Sequence, residues 1–227
     1  MKIIAVGDIH MAPKYLDKIP DIQEADLVLL NGDLTNYGGI PEVREVLNHT
    51  MALNPNTLAH FGNLDKPEVN DYLEELDINL HGQARMIQNT VCIVGIGGSN
   101  NTPFLTPSEF KEEEILSTVE GAYLQGLDYV RLAEPLHKRK IPILLISHTP
   151  PINTKLDRIR SGKHVGSRAI RTVIEKYQPA LSIVGHIHEA KGEDTILESR
   201  IINPGMLRDG GWVSIEVVNS QLYTQLQ

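Results

Sequence analysis

The sequence is poor in cysteine, in cationic charge and in long apolar runs, and each shortage removes a class of protein. A single cysteine, Cys92, among 227 residues excludes an internal disulfide. It lies in the run Val91-Cys92-Ile93-Val94 and reads as a small buried hydrophobe in a reducing compartment. Lys and Arg number 21 against 29 Asp and Glu, a net charge of −8, which repels nucleic acid and anionic membrane unless a local basic patch intervenes. No apolar stretch approaches the roughly 18 residues of a membrane span, and Lys2-Ile3-Ile4-Ala5-Val6 is too short for a signal-peptide core. A cytoplasmic protein without membrane contact is expected. Internal repeats, low-complexity tracts and Ser/Gly linkers are also missing, so one domain over residues 1–227 is expected. With 41% hydrophobic and 22% charged residues, the chain has the composition of a globular protein and is long enough to bury about 70% of its unfolded surface.

Runs rich in Ile, Val and Leu recur at Lys2 to Val6, Asp26 to Leu30, Thr57 to Phe61, Thr90 to Ile96, Pro142 to Ser147 and Leu181 to Val184. Their near-continuous hydrophobicity predicts strands covered on both faces. Between them lie helical patterns: Pro41 opens one with Val43, Val46, Leu47 and Met51 on one face, and Ser167 caps another carrying Ile170, Val173, Ile174 and Tyr177. Thr106-Pro107-Ser108-Glu109 has the spacing of a capping box and predicts a helix running toward Val119. The alternation implies an α/β layer structure. After Gly185 the pattern shortens to Thr195 to Leu197, Ser199 to Asn203, Trp212 to Val218 and Leu222 to Gln225, with Gly210-Gly211 as a turn, which predicts an antiparallel meander. Two long irregular stretches, Gly97 to Thr106 and Pro150 to Gly166, exceed ordinary connections and are candidates for function.

Five apolar runs end in metal-binding residue types: Gly7-Asp8-Ile9-His10, Gly32-Asp33, Gly62-Asn63, Ser147-His148 and Gly185-His186-Ile187-His188. In open α/β sheets ligands bind at the C-terminal ends of strands. Asp8 and His10, like His186 and His188, stand two apart, so in extended backbone both members of a pair project from one face. Gly before four of the five clusters permits sharp turns and close approach. Turn chemistry alone explains Gly-Asp but not the repeated histidines. Imidazoles plus an amide oxygen suit Mn, Fe, Co, Ni or Zn better than Mg or Ca.

These ordered blocks, Gly-Asp-x-His, Gly-Asp, Gly-Asn, His and Gly-His-x-His, resemble the calcineurin-like metallophosphoesterase superfamily and span most of the chain. The resemblance implies a four-layer α/β/β/α sandwich with two divalent transition-metal ions at one sheet edge. It assigns Asp8, His10, Asp33 and His188 to one ion, and Asp33, Asn63, His148 and His186 to the other, with Asp33 bridging. It implies hydrolysis of small phosphate esters by a hydroxide held between the ions, which lie about 3.5–4 Å apart in such centres. The centre stays positive after the charges of Asp8 and Asp33 are counted, so it attracts phosphate despite the acidic chain.

The chain departs from the common pattern at Gly62-Asn63-Leu64-Asp65, where many members carry a histidine directly after the asparagine. A subset of smaller prokaryotic phosphoesterases shares the Gly-Asn-x-Asp form. Asp65 is a candidate general acid, or alternatively a cap for a helix beginning at Pro67. The loop Pro150 to Gly166 holds Lys155, Arg158, Arg160, Lys163 and His164, which read either as a solvated basic loop or as an anion clamp. Ser147 to Pro151, Gly162 to Ser167 and Asn203 to Gly205 resemble the branch related to cyclic-nucleotide phosphodiesterases. That branch makes His164 a second candidate for proton transfer or phosphate contact and favours phosphodiesters over monoesters. Asn63, Ser99, Asn100 and His164 are the candidate substrate contacts, and Gly97 to Asn100 read either as backbone amides offered to substrate or as a plain loop. His49, His60, His81 and His137 are left outside the site. The rival function is a protein-interaction scaffold with weak catalysis. A nuclease is chemically feasible but disfavoured by charge, and a homo-oligomer is compatible with the chain.

Overall fold

A computed structural model describes residues 1–227. Its strands and helices run β1 (Lys2–Gly7), β2 (Leu27–Asn31), α1 (Ile40–Leu53), β3 (Thr57–His60), α2 (Glu68–Glu75), β4 (Gln83–Ile87), β5 (Val91–Ile96), β6 (Ser99–Asn100), β7 (Glu109–Phe110), α3 (Glu112–His137), β8 (Ile143–Ser147), α4 (Arg168–Tyr177), β9 (Leu181–Ile183), β10 (Gly192–Ile196), β11 (Ser199–Asn203), β12 (Val213–Val218) and β13 (Gln221–Leu226). One sheet has the order β13-β12-β1-β2-β3 and the other β10-β11-β9-β8-β5-β4, while β6 and β7 form a short separate pair.

Three apolar layers follow from the pleat, which sends successive side chains to opposite faces. Ala5 and Ile3 of β1, Leu27 and Leu29 of β2, and Leu144 and Ile146 of β8 fill the space between the two sheets. Their neighbours Ile4, Val6, Val28 and Leu30 face Val43, Val46 and Leu47 of α1 and Val69 and Leu73 of α2. On the other flank Cys92, Val94 and Leu145 meet Ile115, Val119 and Tyr123 of α3 and Ile170, Val173 and Ile174 of α4. This is the four-layer α/β/β/α arrangement, and it explains why the central strands carry no polar alternation: both of their faces are covered.

Two expectations are corrected. Thr106 does not open a helix; the Glu109 carboxylate accepts from the backbone N–H and hydroxyl of both Thr106 and Thr102. Those four bonds close a loop, and Glu109–Phe110 pairs as a strand with Ser99–Asn100. The helix starts at Glu112 instead, where the Lys111 N–H donates to the Glu114 carboxylate, the same capping-box logic five residues later. The C-terminal segments are not one meander. They form two hairpins, β10-β11 joining the second sheet through β9, and β12-β13 joining the first through β1. The Gly210 turn between them has φ +84°.

The parallel strands β1, β2 and β3, and likewise β5, β8 and β9, end at one edge. Side chains in the loops after β1, β2, β3, β8 and β9 are thereby gathered between the sheets.

Candidate metal centre

The loops at this edge turn tightly. Asp8, His10, Asp33 and His186 adopt φ of 52°, 48°, 45° and 67°, the left-handed region that non-glycine residues rarely occupy without compensation. Glycine is required beside them at two positions. A Cβ on Gly62 would collide with the Asp33 carboxylate, and one on Gly32, at φ +77°, would lie 2.5 Å from His148 Nδ1. Asp65 supports the same turns from below. Its carboxylate accepts from the N–H groups of Leu34, Thr35 and Gly62 and from the Thr35 hydroxyl, tying the loop after β2 to the loop after β3. Asp65 therefore does not cap α2, which has no side-chain cap.

Asp8, His10, Asp33 and His188 each offer one ligand atom, all within 4.8 Å of one another. His10 Nε2 lies 3.1 Å from His188 Nε2 and 3.8 Å from Asp33 Oδ2, and His188 Nε2 lies 3.1 Å from Asp8 Oδ1. Four ligands at about 2.1 Å from one cation stand roughly 3.0 to 4.2 Å apart, so this spacing suits a single ion. Second partners set the tautomers: His10 Nδ1 contacts Asn36 Oδ1 at 2.8 Å, which makes Nδ1 the donor and leaves Nε2 with its lone pair facing the group.

A second set lies on the other side of Asp33. His148 Nδ1 donates to the Asn31 carbonyl at 3.0 Å, so its Nε2 is the atom turned toward Asn63 Oδ1 at 3.0 Å and Asp33 Oδ1 at 3.4 Å. The His186 ring stands 5.3 Å from that of His148, edge to face. Acceptors facing acceptors is the donor chemistry a bound cation satisfies. Protonation equilibria report the same field: burial opposes charge on Asp33, yet His148 and His10 hold its carboxyl down to about 2. Burial likewise opposes a proton on His148, but the Asp33 and Asp8 carboxylates push it up to about 9, and a cation at Nε2 takes the place of that proton. Burial, then the charge of His148, pushes His186 down to about 4, leaving it the neutral imidazole that metals require.

The remaining candidates are placed differently. Ser99 is fully buried and its hydroxyl donates to the Asn100 carbonyl. The Gly97, Gly98 and Ser99 amides donate to His81 Nδ1, Phe61 O and Ser108 O, so of the two readings these three amides follow the plain loop and not the anion site. Asn100 spans two loops, accepting from the Thr149 hydroxyl next to His148 and donating to Val165 O next to His164. His164 Nδ1 lies 2.6 Å from the buried carboxylate of Asp157, and its Nε2 accepts from Arg158. The basic loop is thus folded on itself around Asp157, which also accepts from Asn153, Thr154 and Gly166 N–H groups. His49 pairs with Asp17 on the surface and His60 is buried in β3. Sequence reading missed Asn36, Thr106, which accepts from Asn63 Nδ2 at 3.0 Å, and Asp157. No local spacing signals any of the three.

A two-sheet α/β sandwich with such a group at its strand edge is the arrangement that the metallophosphoesterase resemblance implied. Residues 1–190 match the family described as calcineurin-like phosphoesterase, and the chain belongs to it. It is 36% identical over 209 residues to an uncharacterized protein of Methanocaldococcus jannaschii, covering 90% of this chain and 88% of that one. Among solved structures it resembles the protein TT1561 of Thermus thermophilus (TM-score 0.66, 18% identity, 99% and 98% of the two chains). It also resembles a dimetal phosphatase from Danio rerio (TM-score 0.65, 13% identity, 100% and 95%). No helix is long and apolar enough to cross a membrane.

Proposed function

We propose that the protein hydrolyses small phosphate esters with two divalent transition-metal ions, Mn, Fe, Zn, Co or Ni, and prefers diesters to monoesters. The observation that carries the two-ion reading is the orientation of Asp33. Its Oδ2 faces His10 at 3.8 Å and its Oδ1 faces His148 at 3.4 Å, so one carboxylate serves both donor sets. Asp8, His10 and His188 complete the first set, and Asn63, His148 and His186 the second. When bound, such a pair of ions neutralises phosphate oxygens and makes a water nucleophilic at neutral pH.

The protein's own groups do the positioning. Asn36 and the Asn31 carbonyl hold the two histidine tautomers, Thr106 aims the Asn63 amide, and Asp65 clamps the loops that carry Asp33 and Asn63. Asp65 has its oxygens committed to those bonds and acts by support. His164 is the remaining candidate for phosphate contact or leaving-group protonation: Asp157 holds its Nδ1, Asn100 and Thr149 tie its loop to the one after β8, and its Nε2 becomes available only when Arg158 leaves it. The diester preference rests on the likeness of Ser147 to Pro151, Gly162 to Ser167 and Asn203 to Gly205 to the cyclic-nucleotide branch.

The test is a comparison of bis(p-nitrophenyl) phosphate with p-nitrophenyl phosphate under added Mn, alongside elemental analysis. The wild type is expected to hold two ions and cleave the diester faster, and Asp33→Ala to lose both ions and nearly all turnover. Full occupancy in that variant overturns the bridging role. Cleavage of neither ester by metal-loaded protein hands the fold to the scaffold reading.

A further inference from the structure

Between β8 and α4 the chain folds a tight hairpin beside the metal centre. The Ile159 N–H donates to Lys163 O and the Gly162 N–H to Ile159 O, with Gly162 turning at φ +84°. The hairpin sets Arg158 directly across from His164, where facing side chains meet. Its flanks are tied to both halves of the centre. On one side Asn100 links Val165 O to the Thr149 hydroxyl, next to His148. On the other the Arg160 N–H donates to the Glu189 carboxylate, next to His188, and the turn Lys155–Asp157 packs on the turn His188–Ala190.

Asp157, His164 and Arg158 form a chain of contacts in this hairpin. Asp157 is fully buried, and its carboxylate accepts the His164 Nδ1–H at 2.6 Å. Its bonds from the N–H groups of Asn153, Thr154 and Gly166 brace the hairpin's base. Arginine only donates, so the Arg158 Nε–H at 3.2 Å fixes His164 Nε2 as an acceptor and places the ring hydrogen on Nδ1. Arg158 is thus held at Nε, while its Nη1 and Nη2 groups make no hydrogen bond or ion pair in the chain. The loop's other cations, Lys155, Arg160 and Lys163, bond through their backbones alone, so no partner aims their side chains.

Resting on the phosphoesterase reading above, we propose that Arg158 is the phosphate-binding cation of this site, its Nη groups donating to oxygens of the substrate's phosphoryl group. His164 is its positioning residue and acts through Arg158 without touching the substrate. A planar guanidinium gripped at Nε presents its free edge in a fixed orientation, the geometry of bidentate phosphate recognition. With Nε2 an acceptor, His164 carries no proton on the side that faces Arg158.

The test uses metal-loaded protein, read by elemental analysis, calorimetric titration with inorganic phosphate, and KM and kcat on bis(p-nitrophenyl) phosphate. Arg158→Ala is expected to leave the metal content unchanged and to raise the phosphate Kd and the diester KM roughly 10- to 100-fold, the loss of charge-assisted bonds. Arg158→Lys recovers only part of this, because an ammonium has no fork. His164→Ala is expected to raise the same constants roughly 2- to 10-fold, the worth of one hydrogen bond, and to add nothing when combined with Arg158→Ala. A lower kcat at unchanged phosphate Kd in His164→Ala, multiplying with the effect of Arg158→Ala, makes His164 a proton donor and overturns the positioning role. An unchanged phosphate Kd in Arg158→Ala, or a loaded wild type that binds no phosphate, overturns the proposal and leaves diester turnover to judge the phosphoesterase reading. Phosphate binding through Arg158 without cleavage of any ester fails that reading instead and keeps the anion site.

Discussion

His10 and His148 are ligand-ready because each has its other nitrogen engaged, His10 by the Asn36 side chain and His148 by the Asn31 carbonyl. The backbone carbonyl cannot be mutated away, but Asn36 can. Asn36→Ala is expected to lower metal affinity roughly 10- to 100-fold while leaving the fold intact, measured by competition against a chelating indicator. Asp65 answers to a different physics. Its carboxylate satisfies three buried N–H groups and a hydroxyl, and removing it strands all of them. Asp65→Ala is expected to cost about 3–5 kcal/mol in urea unfolding with an unchanged m-value. An Asp65→Asn variant that keeps its stability and metals but loses kcat would make Asp65 the proton donor instead of a brace.

Among the elements, the packing of α3 on α4 is fastened by a cap supplied across the interface. Ser167 accepts the Ile170 N–H in the ordinary N-cap manner, but Glu112, the first residue of α3, accepts from Arg168 N, Ala169 N and the Ser167 hydroxyl. A carboxylate at the positive end of α4 completes donors that the helix cannot satisfy itself. Glu112→Ala is expected to lower Tm by roughly 3–6 °C, equivalent to about 1.5 kcal/mol at this chain length. Ser167 is legible as a cap from the residues that follow it. Glu112 is not, because its partners lie more than fifty residues further along the chain. The Thr106–Glu109 spacing shows the converse. The box is real, but its bonds close a loop against Thr102, since the segment is already recruited to pair with β6.

Taken as one body, the molecule brings two neighbouring carboxylates and four histidines to a single sheet edge, an arrangement suited to bind cations more tightly than the unfolded chain does. Chelation is therefore expected to lower stability as well as activity. At free metal a hundredfold above Kd the bound state gains about 2.7 kcal/mol, which at this chain length corresponds to roughly 5–11 °C in Tm. A melt that does not move on chelation, while turnover disappears, would assign the ions to catalysis with no share in folding. The negative net charge need not oppose phosphate binding, because a cation held by this group would reverse the sign of the field at the site.

The six apolar central strands and the α/β layering were legible because each is carried by short-range pattern, whereas the four-layer order and the seven candidate ligands followed from the resemblance of the ordered blocks. Unbroken apolar runs reach water on neither face, but the expected extended backbone that would put ligands two apart on one side is not found, because Asp8, His10 and His186 sit in left-handed turns. Folding decided which distant groups meet. Asn36 comes to His10, Thr106 to Asn63 and Asp157 to His164 through contacts with no characteristic local spacing. Strand β4 went unread because Gln83 and Arg85 break its apolar run. The C-terminal segments alternate identically whether they join one sheet or two, so only the packing of β11 against β9 and β12 against β1 divides them. A side chain's face is set by its neighbours in the chain, whereas its partner is set by the closure of long loops, which leaves no periodic trace.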